Sequence, residues 1–264
     1  MRLAKSSVVA RIYSLQTEDR VMETDLHTPT IRDAQEMTSL VVDAFPAIEA
    51  VLLFGSVARG DANPWSDIDL LVISSDPKLT VAEMRGVIAE RSNVSLAYYR
   101  TPSFAKLCQR HSSFIAHLKK EGVVLFDPVG VLNKMQNSPS FTKSDVAEEM
   151  MHYRAKLAPY RHPKRYNNNF LFALSHLYSI GKGVIMLVLT SQGNPEFNRD
   201  AAFERFATLN PDLAEQVTTV TRLRPFYRMV NGRKREPLPF SYYDAATKME
   251  EAVNAIDFLA ERAI

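Results

Sequence analysis

Two apolar runs that are joined by a polar loop constrain the fold of this chain more than any other feature. Residues 48–54 and 68–73 are predominantly apolar, and the segment from Phe54 to Asp69 reads Phe-Gly-Ser-Val-Ala-Arg-Gly-Asp-Ala-Asn-Pro-Trp-Ser-Asp-Ile-Asp. Short apolar runs that are bounded by turn residues predict strands covered on both faces. The loop is therefore held between two strands of a buried sheet.

The first half of this loop has the residues of an anion site. Gly55 has no Cβ to block the approach of the backbone to phosphate oxygens, and Ser56 can donate its hydroxyl to a phosphate or cap the next helix. Arg59 follows one helical turn later, where it either contacts phosphate or braces the loop by pairing with Asp61 or another carboxylate. The pattern predicts binding of a triphosphate through Gly55, Ser56 and Arg59.

The second half of the loop ends in two acids, Asp67 and Asp69, at the start of the second strand. Side chains two residues apart in a strand point to the same face, so the two carboxylates can converge. They would repel each other and a triphosphate unless divalent cations neutralise them, and Mg²⁺ (or Mn²⁺) is the expected metal. Such an arrangement favours two-metal phosphoryl transfer, with Asp67 and Asp69 as catalytic metal ligands.

Each of these signals is common alone, but together they resemble the nucleotidyltransferases of the DNA polymerase β superfamily. The chain is most similar to the small bacterial members, namely aminoglycoside nucleotidyltransferases and the minimal nucleotidyltransferases of HEPN/MNT toxin–antitoxin pairs. The resemblance is specific over residues 48–73 and consistent to about residue 127. It implies an α+β fold in which a mixed sheet with flanking helices precedes a C-terminal helical bundle. It also implies transfer of a nucleoside monophosphate, with ATP as the expected donor, to a hydroxyl of a small molecule, a protein or RNA.

The chain departs from that family at its third carboxylate. The family places an acid on a neighbouring strand, whereas here residues 94–99 contain none and Ser95 occupies about that position. A hydroxyl is a poorer metal ligand and a far poorer base than a carboxylate. Three interpretations stay open: Glu121, Glu148 or Glu149 substitutes for the acid; the metal and substrate suffice; or the protein is a catalytically lapsed nucleotide-binding module that acts in regulation or partner binding.

Apolar periodicity divides the rest of the chain. Residues 1–30 form a segment of uncertain order, residues 31–130 the nucleotidyltransferase core and residues 140–264 the helical bundle. Within the core, one helix is expected from Thr101 to about Glu121, with Cys108 buried on its apolar face. Lys182 lies on an apolar helix between two glycines, from where it can reach the triphosphate. The bundle is expected to contain helices at 144–157, 168–191, 200–209, 212–223 and 243–262.

Composition excludes several classes of protein. The 264 residues are 46% hydrophobic with a net charge of +2, which is typical of a globular chain and too mild to indicate nucleic acid binding by itself. Basic groups at 161–165 and 222–235 nevertheless keep an RNA or protein partner possible. The single cysteine excludes an internal disulfide, and no apolar run is sustained enough to predict a leader or a membrane span. The expected location is therefore cytoplasmic. Trp65 either covers the core, which is the favoured expectation, or stacks on a base or an acceptor ring.

Overall fold

The structure is a computed structural model that describes residues 27–88, 94–110, 112–166, 169–231, 240–241 and 244–262. Most of the N-terminal segment predicted at 1–30 lies outside the described residues. The first helix, α1, spans Ile31–Ala44 and begins with a capping box between Thr30 and Asp33, in which each side chain accepts from the other residue's backbone N–H.

Four strands form one mixed sheet, as the resemblance implied. They are β1 (Ile48–Phe54), β2 (Ile68–Ser74), β3 (Val94–Arg100) and β4 (Val123–Phe126), in the spatial order β3-β2-β1-β4. Strand β1 is antiparallel to both β2 and β4, and β2 is parallel to β3. The polar loop thus joins two antiparallel neighbours, and Phe54 is the Cα partner of Asp69. Both ends of the loop therefore lie at the same end of the two central strands.

Helices cover both faces of this sheet. One hydrophobic cluster joins the sheet to α1 and to the helix at Val81–Ile88, and a second joins its other face to the helices at Thr101–Gln109, Ser113–Glu121 and Asn133–Gln136. Cys108 belongs to the second cluster, where burial raises the pKa of its thiol to about 11. The predicted single helix from Thr101 to Glu121 is wrong, because the chain leaves helical geometry at Arg110. The remaining core helices are α2 (Gly55–Arg59), α3 (Val81–Ile88), α4 (Thr101–Gln109), α5 (Ser113–Glu121) and α6 (Asn133–Gln136).

The C-terminal region is helical and has its own hydrophobic cluster, which runs from Val146 to Ala260. The five helices predicted there are confirmed to within two residues at each end, and a sixth short helix at Arg224–Val230, here α11, was not predicted. Three turns of 3-10 helix at Ala158–Arg161, Pro163–Tyr166 and Pro211–Leu213 connect the helices. The α-helices are α7 (Lys143–Leu157), α8 (Phe170–Ser191), α9 (Arg199–Leu209), α10 (Ala214–Thr221), α11 (Arg224–Val230) and α12 (Ala245–Arg262).

Helix α8 forms the centre of this region. It is long and apolar enough to cross a membrane by length and composition, but 61% of its most apolar window is buried inside the protein. Two glycines let neighbours approach it closely: a Cβ at Gly181 would lie 2.6 Å from Val220 Cγ1, and one at Gly183 would lie 2.4 Å from Tyr153 Cε1. The apolar character of α8 is therefore explained by packing against α7, α10 and α12.

Candidate active site

The polar loop opens into a cleft of about 720 Å³ between the sheet and the helical region. One wall is formed by the loop, the adjoining strand ends and His117 of α5. The other wall is formed by α8, by the segment before α9 and by α11. The described residues of the sheet wall are Phe54, Gly55, Ser56, Arg59, Asp61, Asn63, Trp65, Ser66, Asp67, Asp69, Ser95 and His117, and those of the helical wall include Lys182, Asn198, Arg199, Asp200, Arg224, Tyr227 and Arg228.

Strand alternation directs the two predicted acids into this cleft. Ile68 and Leu70 are buried beneath the sheet, whereas Asp67 and Asp69 are half-buried on the opposite face and line the cleft. Ser95 is the Cα partner of Asp69 on the adjacent strand β3, which is the position at which the family pattern calls for an acid. The structure therefore brings Asp67, Asp69 and Ser95 together, and Val94–Arg100 contributes no carboxylate.

Gly55 makes room for the Asp69 carboxylate in the structure. Its φ is +77°, and a Cβ added there would lie 2.2 Å from Asp69 Oδ2. Its backbone N–H is directed to Glu121 Oε1 at 3.3 Å. Glycine is therefore required at this position because the Asp69 carboxylate occupies the space that a side chain would fill.

Arg59 braces the loop through two carboxylates. Its Nη1 donates to both oxygens of Glu121, at 2.9 and 2.8 Å, and its Nε donates to Asp61 at 3.2 Å. Glu121 is 6% exposed at its side chain and also accepts from His117. Burial alone would raise the pKa of Glu121, but the hydrogen bonds and positive charges of His117 and Arg59 lower it overall. Burial alone would lower the pKa of Arg59, but the hydrogen bonds and negative charges of Glu121 and Asp61 raise it overall.

Only some of the other predicted residues line the cleft. Ser56 and Lys182 both line the cleft, on opposite walls. Glu148 is exposed on α7, and Glu149 binds the start of α5 by accepting from the backbone N–H of Ser113 at 2.8 Å. Neither Glu148 nor Glu149 is among the described residues that line the cleft.

Sequence reasoning missed the arginines of the helical wall. The guanidinium of Arg199 lies 4.9 Å from the ring centroid of Tyr227, and Arg224 donates to Asp200 at 2.6 Å. The Nε atoms of Arg199 and Arg224 are buried with no hydrogen-bond partner among the described residues. Burial and the neighbouring Arg224 lower the pKa of Arg228. These side chains give the helical wall a concentrated positive charge.

The signal for this wall was present in the sequence but was assigned to other causes. Arg224 and Arg228 belong to the basic group 222–235, which the sequence connects with an RNA or protein partner, because a helix as short as α11 was not expected. Residues 232–239 of that group lie outside the described residues. The expectation for Trp65 is wrong, since Trp65 is 39% exposed and lines the cleft instead of covering the core.

The acids of the cleft fit a magnesium ion that binds together with a nucleotide. Among the described residues, no group of three or more His, Cys, Asp or Glu side chains is placed to hold a metal. Magnesium is usually held by one or two carboxylates together with substrate phosphates and water. Asp67 and Asp69 both line the cleft, and the Asp69 carboxylate lies where a Cβ at Gly55 would be. The pair therefore matches that kind of site.

The four-stranded mixed sheet, its flanking helices and the helical C-terminal region match the nucleotidyltransferase fold. Residues 36–136 match the family model of the nucleotidyltransferase domain.

Among solved structures, one has a similar fold over most of its length, and two others match with lower scores. A spectinomycin adenyltransferase from Enterococcus faecialis, solved with ATP and spectinomycin, has a TM-score of 0.51 at 15% identity, over 88% of this chain and 97% of that chain. A toxin–antitoxin complex with AMP-PNP has a TM-score of 0.30 at 21% identity, over 39% and 82%. A nucleotidyltransferase-like protein from Exiguobacterium sibiricum has a TM-score of 0.35 at 14% identity, over 87% and 75%. No curated protein matches the chain.

Proposed function

We propose that the protein is a Mg²⁺-dependent nucleotidyltransferase that moves AMP from ATP to a hydroxyl acceptor. One observation carries the proposal: the carboxylate of Asp69 lies against Gly55, in a cleft whose opposite wall has Lys182 and three arginines. A metal-bound triphosphate requires carboxylates that hold the metal and cationic side chains that contact the phosphates. ATP is the proposed donor because the adenyltransferase of similar fold was solved with ATP.

In this proposal each wall has its own task. Asp67 and Asp69 hold the metal, and Ser56 donates its hydroxyl to a phosphate oxygen from the adjoining turn. Lys182 and Arg199 approach the phosphates from the helical wall, where they stabilise the charge of the pyrophosphate that leaves. When bound, magnesium (or manganese) neutralises phosphate charge and lowers the pKa of the acceptor hydroxyl. The acceptor oxygen bonds to the α-phosphorus as the bond to the β-phosphate breaks, and the hydroxyl proton passes to water.

Glu121, which the sequence offered as a substitute for the missing acid, has a positioning role in this proposal. Both of its oxygens are engaged by Arg59, and one also accepts from His117. A carboxylate that is held in this way fixes the loop that carries Gly55 and Arg59. Strand β3 offers no carboxylate that could act as the base, because the residue that lies beside Asp69 is Ser95.

The acceptor class proposed from the sequence is a hydroxyl of a small molecule, a protein or RNA, and the proposed location is cytoplasmic. The second candidate function is a nucleotide-binding module without turnover, acting in regulation or partner binding. Ser95 favours this candidate, since an acid at its position would serve the transfer step better than a hydroxyl does.

The test uses the full chain with each α-labelled nucleoside triphosphate, Mg²⁺ or Mn²⁺, and a cell lysate as the source of acceptors. We expect pyrophosphate release and label transfer with ATP, and loss of both in Asp67→Ala and Asp69→Ala. Asp212→Ala changes an exposed aspartate outside the cleft and serves as the matched control. Nucleotide binding measured by calorimetry, with no pyrophosphate release and no labelled product, would contradict the transferase and support the binding module.

A further inference from the structure

A second pocket, here called the side pocket, adjoins the cleft. It has a volume of about 370 Å³ and lies between α5, α7 and α8. Four residues line both spaces: His117, Lys182, Met186 and Phe197. The rings of His117 and Phe197 are stacked at this border, with centroids 4.2 Å apart and planes 19° apart. A ligand in the side pocket would therefore lie next to the phosphate-binding cleft.

We propose that the side pocket binds the acceptor, and that the acceptor is a small hydroxylated ring compound with a negatively charged phosphate or carboxylate group. This inference rests on the proposed transferase function. It goes beyond that function because it selects one class of acceptor.

The walls of the side pocket have the character of a ring-binding site. Its aromatic faces come from Phe114, Tyr153 and Phe197, and its hydroxyls from side chains such as Ser179 and Thr190. Tyr153 packs closely against α8 at Gly183, where a Cβ would lie 2.4 to 2.5 Å from its Cε1, Cζ and hydroxyl oxygen. Apolar ring faces with a few placed hydroxyls are typical of sites for small cyclic ligands.

The charge of the side pocket selects an anion. Its cationic lining residues are Lys156, Lys182 and His117, whose charge is paired with Glu121, and none of its described lining residues is a carboxylate. The nearby Glu149 lies behind Ser113, whose backbone N–H and hydroxyl donate to its two oxygens at 2.8 and 2.5 Å. Burial, together with Lys156, lowers the pKa of His176, so His176 is neutral near pH 7.

A positively charged amino sugar is a poor fit for these walls. Its ammonium groups would lie beside Lys156 and Lys182 without a carboxylate among the described lining residues to pair with. Bringing like charges together in a partly enclosed site costs binding free energy. A phosphate or a carboxylate on the ring would instead be attracted to both lysines.

The experiment separates small molecules of a cell extract, by ion exchange, into anionic, neutral and cationic fractions. Each fraction is incubated with the full chain, α-labelled ATP and Mg²⁺, and spectinomycin serves as a defined cationic probe. We expect labelled product from the anionic fraction alone. Phosphatase treatment of that fraction beforehand distinguishes the two sources: a lost signal identifies a phosphate, and a retained signal identifies a carboxylate.

Three results would overturn the inference while leaving the transferase intact: label in the neutral or cationic acceptors, label only in protein or RNA, or pyrophosphate release with no labelled small molecule. Absence of both pyrophosphate release and label would instead overturn the proposed function itself.

Charge reversal at the side pocket supplies the second measurement. Lys156→Glu should lower kcat/KM for the anionic acceptor by about tenfold or more, equivalent to about 1.4 kcal/mol, and leave the KM for ATP unchanged. Lys106→Glu makes the same change at an exposed position on α4 and is the matched control. Thermal unfolding verifies that both variants are folded. Equal kcat/KM values in the two variants would contradict the assignment of the side pocket.

Discussion

Gly55 illustrates how one missing side chain determines the geometry of the site. Its positive φ turns the chain from β1 into α2, and its bare Cα leaves room for the Asp69 carboxylate. Gly60, at the other end of α2, has nearly the same φ of +78° but no atom within 4 Å of the position of an added Cβ. The two glycines thus separate backbone strain from contact with the acid.

We predict that Gly55→Ala lowers the transfer rate by about 100-fold, because the new methyl group displaces Asp69 from its position. The strained φ alone costs about 1 kcal/mol of unfolding free energy. Gly60→Ala should show that stability loss with near-normal activity. Steady-state kinetics and urea unfolding of both variants test this, and equal activity losses would show that strain, not Asp69, is responsible.

At this scale the sequence predicted neighbours well and distant partners poorly. The period of a strand placed Asp67 and Asp69 on one face, and the family pattern placed Ser95 beside them, as the register shows. The pairing of Arg59 with Glu121 spans 62 residues, and no local spacing reveals such a contact. The arginines of the helical wall were missed for the same reason.

At the scale of elements, Glu121 connects α5 to α2. It lies in the last turn of α5, yet it accepts from the backbone of Gly55 and from the side chain of Arg59 in α2. The polar loop is therefore held against a helix that packs on the sheet. A carboxylate that is buried with cationic partners contributes stability only while it is ionised.

We predict that Glu121 makes stability depend on acid pH. Its pKa in the folded protein lies below its ordinary value of 4.5, so its contribution is complete above 4.5 and is lost as pH falls through the folded-state pKa. Glu121→Gln should lower the unfolding free energy by about 2 kcal/mol near pH 7 and flatten the pH dependence below 4.5. Urea unfolding across this range measures both effects.

The control is Glu251→Gln, which removes an exposed ion pair with Lys248. It should change stability by less than about 1 kcal/mol. A pH dependence that is equally steep in wild type and Glu121→Gln would mean that the pair with Arg59 does not stabilise the fold.

Elements with a long apolar period were the easiest to predict. The strands and the long helices were recovered because continuous or periodic burial leaves a pattern in the sequence. Helix α11 was not predicted, because this basic seven-residue segment has no clear apolar period and its position depends on packing against α8 and on Phe226. The break after Gln109 was not predicted either.

For the whole molecule, the two walls of the cleft meet through a few side chains at its edge. Asn198 donates to Asp61, Lys120 donates to the backbone oxygen of Pro195, and His117 stacks on Phe197. Asn198 also caps α9 by accepting from two backbone N–H groups at 3.0 Å. Asn198 therefore links the start of α9, where Arg199 is the first residue, to the polar loop.

We predict that Asn198→Asp weakens this link while preserving the cap, since aspartate caps helices as well as asparagine but repels Asp61. The KM for ATP should rise by about fivefold because Arg199 is less well positioned, and hydrogen exchange should increase around residues 194–200. Asn198→Ser retains a cap without the added charge and is the control. Wild-type exchange and KM in Asn198→Asp would show that the link does not position Arg199.

The separate hydrophobic clusters of the sheet and of the helical region have a consequence for how such a chain can diversify. The residues proposed to hold the metal depend mostly on the packing of the sheet, whereas the proposed acceptor pocket depends mostly on α7 and α8. Mutations that reshape the pocket can therefore accumulate without unfolding the donor site. A gene of this kind can drift from one acceptor to another while it retains the same reaction.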